Sequence, residues 1–236
     1  MIKTVFFDLD GTLLPMDQEV FVKAYFGGLA KRLAPHGYQA QALIDAIWRG
    51  TGAMVKNDGS CKNEEAFWRT FTAIFGEGAL GDIPHFDAFY REDFDAVAAV
   101  CGRDARARAV LDLLHEKKIP AVLATNPIFP AIATEKRIAW AGLSPDDFVL
   151  YTTYENCSYC KPNLAYYQDL LDRIGARPEE CLMVGNDVQE DMIVETLGMK
   201  VFLLTDCLID RKESDLSRYP HGGFDELLGF LSRELG

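Results

Sequence analysis

The stretch Val5-Phe6-Phe7-Asp8-Leu9-Asp10-Gly11-Thr12-Leu13 decides how this chain is read. Three consecutive apolar residues suit a strand covered on both faces, as in a parallel sheet. Two carboxylates follow at alternate positions, and Gly11 supplies a turn. Asp8 and Asp10 are thereby placed at the carboxyl end of a central strand, where open α/β sheets bind ligands. Alone, the pair is equally compatible with a strand end closed by a turn.

Comparable runs recur downstream at Ala121-Val122-Leu123, Phe148-Val149-Leu150, Leu182-Met183-Val184 and Val201-Phe202-Leu203-Leu204. Between them, Val110, Leu113 and Leu114 share one helical face, as do Leu164, Tyr167, Leu171 and Ile174. Strand and helix in alternation predict an α/β fold, a Rossmann-like doubly wound parallel sheet. The stretch from 16 to 102 behaves differently. It offers no strand but three amphipathic stripes: Phe21, Ala24, Tyr25, Gly28 and Leu29; Phe67, Phe71, Ile74 and Phe75; Phe86, Phe89, Tyr90, Phe94 and Val97. Such aromatic stripes read as core. The predicted organisation is an α/β core domain of residues 1–15 and 103–236, interrupted by a helical domain of residues 16–102.

Later strands also end in polar residues. Thr125-Asn126 offers a hydroxyl and amide donors, and Gly185-Asn186-Asp187-Val188-Gln189-Glu190-Asp191 carries carboxylates into a turn. Lys161 precedes Pro162, a residue expected in the first turn of a helix, with Lys161 extended at its entrance. Singly, each has an ordinary explanation as turn, surface cation or helix cap. Together, at successive sheet ends, they combine hard oxygen ligands for a divalent cation, a fixed positive charge, and hydroxyl and amide donors. That is the equipment of phosphoryl transfer.

In order and spacing these four motifs resemble those of the haloacid dehalogenase-like (HAD) hydrolase superfamily, over roughly residues 3–205. The resemblance implies a magnesium-dependent enzyme in which Asp8 is the nucleophile and forms an aspartyl-phosphate. Asp10 would protonate the leaving oxygen and then activate water, its backbone carbonyl also ligating Mg²⁺. Leu9, Asp10, Thr125, Asn126 and Lys161 would contact the phosphoryl group, with Lys161 neutralising charge on it and on Asp8. Asp187 would bind the metal directly and Asp191 through water or neighbouring contacts. The inserted helices would form a cap that closes over the site. Two departures stand out: Tyr159-Cys160 where small residues often precede the lysine, and Asn163 where an Asp is frequent.

The expected activity is hydrolysis of a small phosphorylated metabolite. A sugar phosphomutase is the alternative, since it would use the same Asp8 and Asp10, and a non-catalytic phosphometabolite-binding module is the reading from another class. Asp10 disfavours dehalogenation, which needs no acid for a halide leaving group. A phosphonate hydrolase would need a cap amine, for which Lys23, Lys31, Lys56 and Lys62 are candidates only in number. The glycine-rich stretch Arg49–Gly59 reads as a substrate-facing loop, and Arg49, Met54 or Lys56 is expected to reach the leaving group.

Composition narrows the partners. The 236 residues carry 24 Lys+Arg against 36 Asp+Glu, a net charge of −12, which argues against nucleic acid and membrane surfaces. Acidity does not exclude a small phosphate, because a divalent cation and Lys161 offset the acids of the site. No apolar run approaches the roughly 20 residues of a membrane span, and acids stand where a signal peptide would be apolar, so the cytoplasm is expected. The 6 cysteines are scattered, which favours reduced thiols. Cys157-x-x-Cys160 lacks the further ligands of a zinc site and reads as two ordinary cysteines. Oligomeric state stays open, a monomer being compatible.

Overall fold

The computed structural model describes residues 1–235. Six parallel strands form one sheet in the order β3-β2-β1-β4-β5-β6. They are β1 (Thr4–Phe7), β2 (Ala121–Leu123), β3 (Leu150–Tyr151), β4 (Cys181–Gly185), β5 (Lys200–Leu204) and β6 (His221–Gly222). The central three strands are buried throughout, as their unbroken apolar runs require. Phe7 lies opposite Leu123 on one side and Val184 on the other, so the residues following all three strands emerge at one edge.

The edge strands depart from expectation. Pro145–Asp147 forms a short 3₁₀ turn, and pairing in β3 is confined to Leu150 and Tyr151, with Val149 65% exposed. An edge strand has one partner and needs fewer paired residues. β6 has only two residues and no apolar run for a sequence pattern to show.

Helices α1 (Gln18–Leu33), α2 (Ala40–Val55), α3 (Asn63–Phe75), α4 (Ile83–Ala88) and α5 (Ala105–Glu116) lie between β1 and β2, while α6 (Ala131–Trp140), α7 (Leu164–Ile174) and α8 (Phe224–Glu234) follow β2. Asp17 caps α1 by accepting from the Glu19 and Val20 amides. The chain leaves β1 and returns from the helices at one place. There Met16 bridges Cys101, and the Gly102 amide donates to the Pro15 carbonyl at 2.7 Å. The third aromatic stripe is buried at Phe86, Phe89, Tyr90, Phe94 and Val97, but it runs through α4, a π-helical turn (Phe89–Asp93) and a 3₁₀ segment (Phe94–Val100) instead of one helix.

The stretch Arg49–Gly59 is not the expected loop, because α2 continues through it to Val55. Its glycine serves packing: a Cβ on Gly50 would come within 2.5 Å of the Phe67 ring, so the missing side chain lets α2 and α3 approach closely. Helix α7 begins at Leu164 with Asn163 as its cap, two residues later than the Lys161-Pro162 reading anticipated. No helix among the described residues is long and apolar enough to cross a membrane.

Candidate active site

Asp8 emerges from β1 with its amide donating to the Val184 carbonyl at 2.9 Å. The chain then reverses. The Leu9 carbonyl accepts from the Thr12 and Leu14 amides, and Gly11 adopts φ +84, where a Cβ would collide with the Asn186 side chain at 2.3 Å. Only glycine meets both conditions without strain. The Thr12 hydroxyl lies 3.0 Å from Asn186 Oδ1 and 3.3 Å from Asp8 Oδ2, tying the first strand end to the fourth.

Lys161 is 2% exposed, and its Nζ donates to Asp8 Oδ1 at 2.8 Å and to Asp191 Oδ1 at 2.6 Å. Burial disfavours the charged ammonium, but Asp191 and Asp8 outweigh it and hold the amine well above its ordinary value. Asp191 is itself pushed up to about 7, by burial first, with Lys161 opposing and Asp8 adding to the rise. The Asp191 Oδ2 accepts the Asp187 amide at 3.1 Å. Asp187 in turn caps the next turn, its Oδ1 accepting from the Gln189 and Glu190 amides, while Oδ2 pairs with Arg211 Nη1 at 2.5 Å.

Thr125 is 2% exposed, and its carbonyl is fixed by the Thr152 hydroxyl at 2.6 Å and the Tyr166 hydroxyl at 2.8 Å. The Asn126 side chain accepts the Lys161 amide at 3.3 Å and donates to Glu190 at 3.2 Å. Asp10 meets a cation that the sequence reading missed: the guanidinium of Arg137 on α6, 1% exposed, pairs with Asp10 Oδ2 and lies 4.5 Å from the centroid of the Phe129 ring. Asp10 Oδ1 is buried with no hydrogen-bond partner. Burial pushes the Asp10 carboxyl up, Arg137 pulls it down, and Asp8 pushes it up again, leaving it above its ordinary value. Arg137→Lys keeps the charge but gives up the planar fork and ring stacking, so it should lower stability by about 1–2 kcal/mol, read as a fall in thermal midpoint.

The structure thus brings Asp8, Asp10, Thr125, Asn126, Lys161, Asp187 and Asp191 to one cavity of about 350 Å³. Leu9 is fully buried behind them. Arg49, Met54 and Lys56 do not line that cavity: Arg49 and Lys56 are exposed, and Met54 packs inward. Their helical neighbours Trp48, Thr51 and Val55 face it instead. Arg137 had a sequence signal, a cation on the face shared by Ala133, Thr134 and Ile138, all buried on α6. Arg211 had none, because it sits in a polar stretch beyond the last motif. Cys157 and Cys160 belong to different core clusters, and burial pushes the Cys157 thiol up to about 11.

The donor chemistry suits a hard divalent cation, since the Asp8 and Asp187 carboxylates and the Asp10 carbonyl are all oxygens at neighbouring strand ends. Lys161 pairs with Asp8 and Arg211 with Asp187, and among the described residues no three His, Cys, Asp or Glu side chains form a ready cluster.

The family description "haloacid dehalogenase-like hydrolase" matches residues 2–193, and the chain belongs to that family. Its fold is shared with several solved structures. A HAD phosphatase from Thermococcus onnurineus is 18% identical with TM-score 0.57, over 98% of each chain. The 2-haloacid dehalogenase from Pseudomonas syringae pv. Tomato DC3000 is 19% identical with TM-score 0.63, over 99% of this chain and 100% of that one. The Bacillus subtilis HAD-hydrolase YfnB, described as bound to magnesium, is 20% identical with TM-score 0.59, over 98% and 99%. No curated protein matches the sequence. The chain is therefore a hydrolase of the HAD-like family.

Proposed function

We propose that this hydrolase is a Mg²⁺-dependent phosphatase acting on a small phosphate monoester through an aspartyl-phosphate on Asp8. The observation that carries the reading is the buried Lys161 held between Asp8 and Asp191, with Asp10 beside it at the cavity floor. Asp8 Oδ2 attacks phosphorus as the bond to the ester oxygen breaks, and Asp10 gives that oxygen its proton. Asp10, now a carboxylate, takes a proton from the water that attacks the Asp8-bound phosphorus, and inorganic phosphate leaves. The two roles need opposite charge states. Burial and Asp8 favour the neutral acid, while Arg137 favours the carboxylate.

Asp8, Asp187 and the Asp10 carbonyl would hold Mg²⁺, which supplies charge neutralisation for the phosphoryl oxygens. Residues 16–102 would act as a cap pivoting where Pro15–Met16 and Cys101–Gly102 lie side by side, admitting substrate on a microsecond-to-millisecond scale.

The test is release of inorganic phosphate from an aryl phosphate with Mg²⁺. Release stoichiometric with substrate loss supports hydrolysis, and transfer to a second position when a sugar phosphate is supplied instead would support the mutase. Chelation with EDTA should reduce the rate about 100-fold, with recovery on adding Mg²⁺. Failure to hydrolyse any phosphate ester would overturn the proposal.

A further inference from the structure

We infer that the substrate is the phosphate ester of an apolar, ring-bearing alcohol with no second anionic group, an inference resting on the phosphatase reading above. The cavity that begins at Asp8 and Asp10 continues between the helices preceding β2. There its walls are Phe26 of α1, Trp48 of α2, Phe67 and Trp68 of α3, Phe86 of α4, and Tyr90. Phe67, Phe86 and Tyr90 belong to the stripes that the sequence pattern assigned to core, whereas Phe26, Trp48 and Trp68 lie outside them. The stripes' inward face is real, but part of it borders a partly open cavity where a ligand ring can replace water.

Charge points the same way. Of the cavity's lining residues, among the described residues, only Lys161 and Arg211 are basic, and both are paired with carboxylates at the floor. On the helical side the one charged lining residue is Asp87. A carboxylate or second phosphate on the leaving group would be desolvated there without a cation and beside a negative charge. The Tyr25 and Tyr90 hydroxyls already bond each other at 2.9 Å, which leaves Gln18, Thr51 and Asp87 to meet the hydroxyls of a sugar on a helical side that is otherwise mostly apolar and aromatic. The same lack of a second anion site disfavours a mutase, whose intermediate carries two phosphates.

The experiment compares kcat/KM for 2-phenylethyl phosphate, ethyl phosphate, phosphoglycolate and glucose 6-phosphate with Mg²⁺. All four lose a primary alkoxide, so intrinsic reactivity is similar and the comparison reports binding of the leaving group. Burial of the phenyl ring should favour 2-phenylethyl phosphate by about 30-fold over each of the others. Trp48→Ala, at a position 51% exposed and therefore tolerant of change, should lower the phenylethyl-to-ethyl ratio by about fivefold. Equal or better turnover of phosphoglycolate, glucose 6-phosphate or ethyl phosphate overturns the inference and leaves the phosphatase standing. No hydrolysis of any of the four overturns both.

Discussion

Asp8→Asn should reduce phosphate release by at least about 10⁴-fold, because an amide oxygen is a poor nucleophile and no covalent intermediate can form. The substitution should leave the fold intact. The amide oxygen can still accept from Lys161 Nζ, 2.8 Å from the present Oδ1, and the amide NH₂ can donate to the Thr12 hydroxyl, 3.3 Å from Oδ2. Thr12 then gives its single proton to Asn186 Oδ1 at 3.0 Å, and every group keeps a partner. Electrostatics also favour the variant. With both acids ionised, Asp8, Asp191 and Lys161 carry one net negative charge at a buried floor, and the amide removes it. The thermal midpoint should stay within about 3 °C of wild type or rise. Activity within tenfold of wild type would remove Asp8 from the nucleophile role, whereas a large drop in midpoint would make the rate loss a folding effect.

How much of this was legible in the sequence depends on what burial leaves as a pattern. Strands β1, β2, β4 and β5 were visible because both faces of each are covered and their residues are apolar without interruption. Strand β6 and Tyr151 of β3 were not, because two paired residues at an edge leave no periodicity. The floor of the site was legible as motifs at strand ends, since register alone carries them to one edge. Its chamber was not. A period of 3.6 shows which side of a helix turns inward, but Phe21, Tyr25, Phe67, Phe86 and Tyr90 turn inward toward a cavity as well as toward other side chains. The misplacement of Arg49 and Lys56 has the same origin. Glycine content suggested a loop; on the helix actually formed, Trp48, Thr51 and Val55 make the cavity-facing stripe, Arg49 stands about 100° round from Trp48, and Lys56 lies just past the helix end. Arg211 reaches Asp187 because Ile209 pairs with the loop after β4, a contact between segments that no local pattern announces.

Lys161→Met should be the most destabilising of the single substitutions considered, by about 3–5 kcal/mol, and should lower activity by about 10³-fold or more. Methionine fills much of the volume, so the loss is electrostatic: Asp8 and Asp191, 2.8 and 2.6 Å from Nζ, are left buried and facing each other without a cation. The effect has a pH signature. Asp191 is already pushed up to about 7, chiefly by burial, and removing the lysine that opposes that shift raises it further. A carboxyl whose folded value lies above its unfolded value of about 4 contributes stability that is fully present below that unfolded value and lost as pH rises through the folded one. The variant's deficit should therefore be small near pH 5 and large near pH 8, read as the difference in thermal midpoint from wild type at each pH. Adding Asp191→Asn to Lys161→Met should recover part of the pH 8 deficit without restoring activity, because it removes one of the stranded negative charges but restores none of the positive charge that Lys161 offers the phosphoryl group. A deficit equal at the two pH values, or no recovery in the double variant, would mean that Lys161 acts through packing and not as the counter-charge of the two acids.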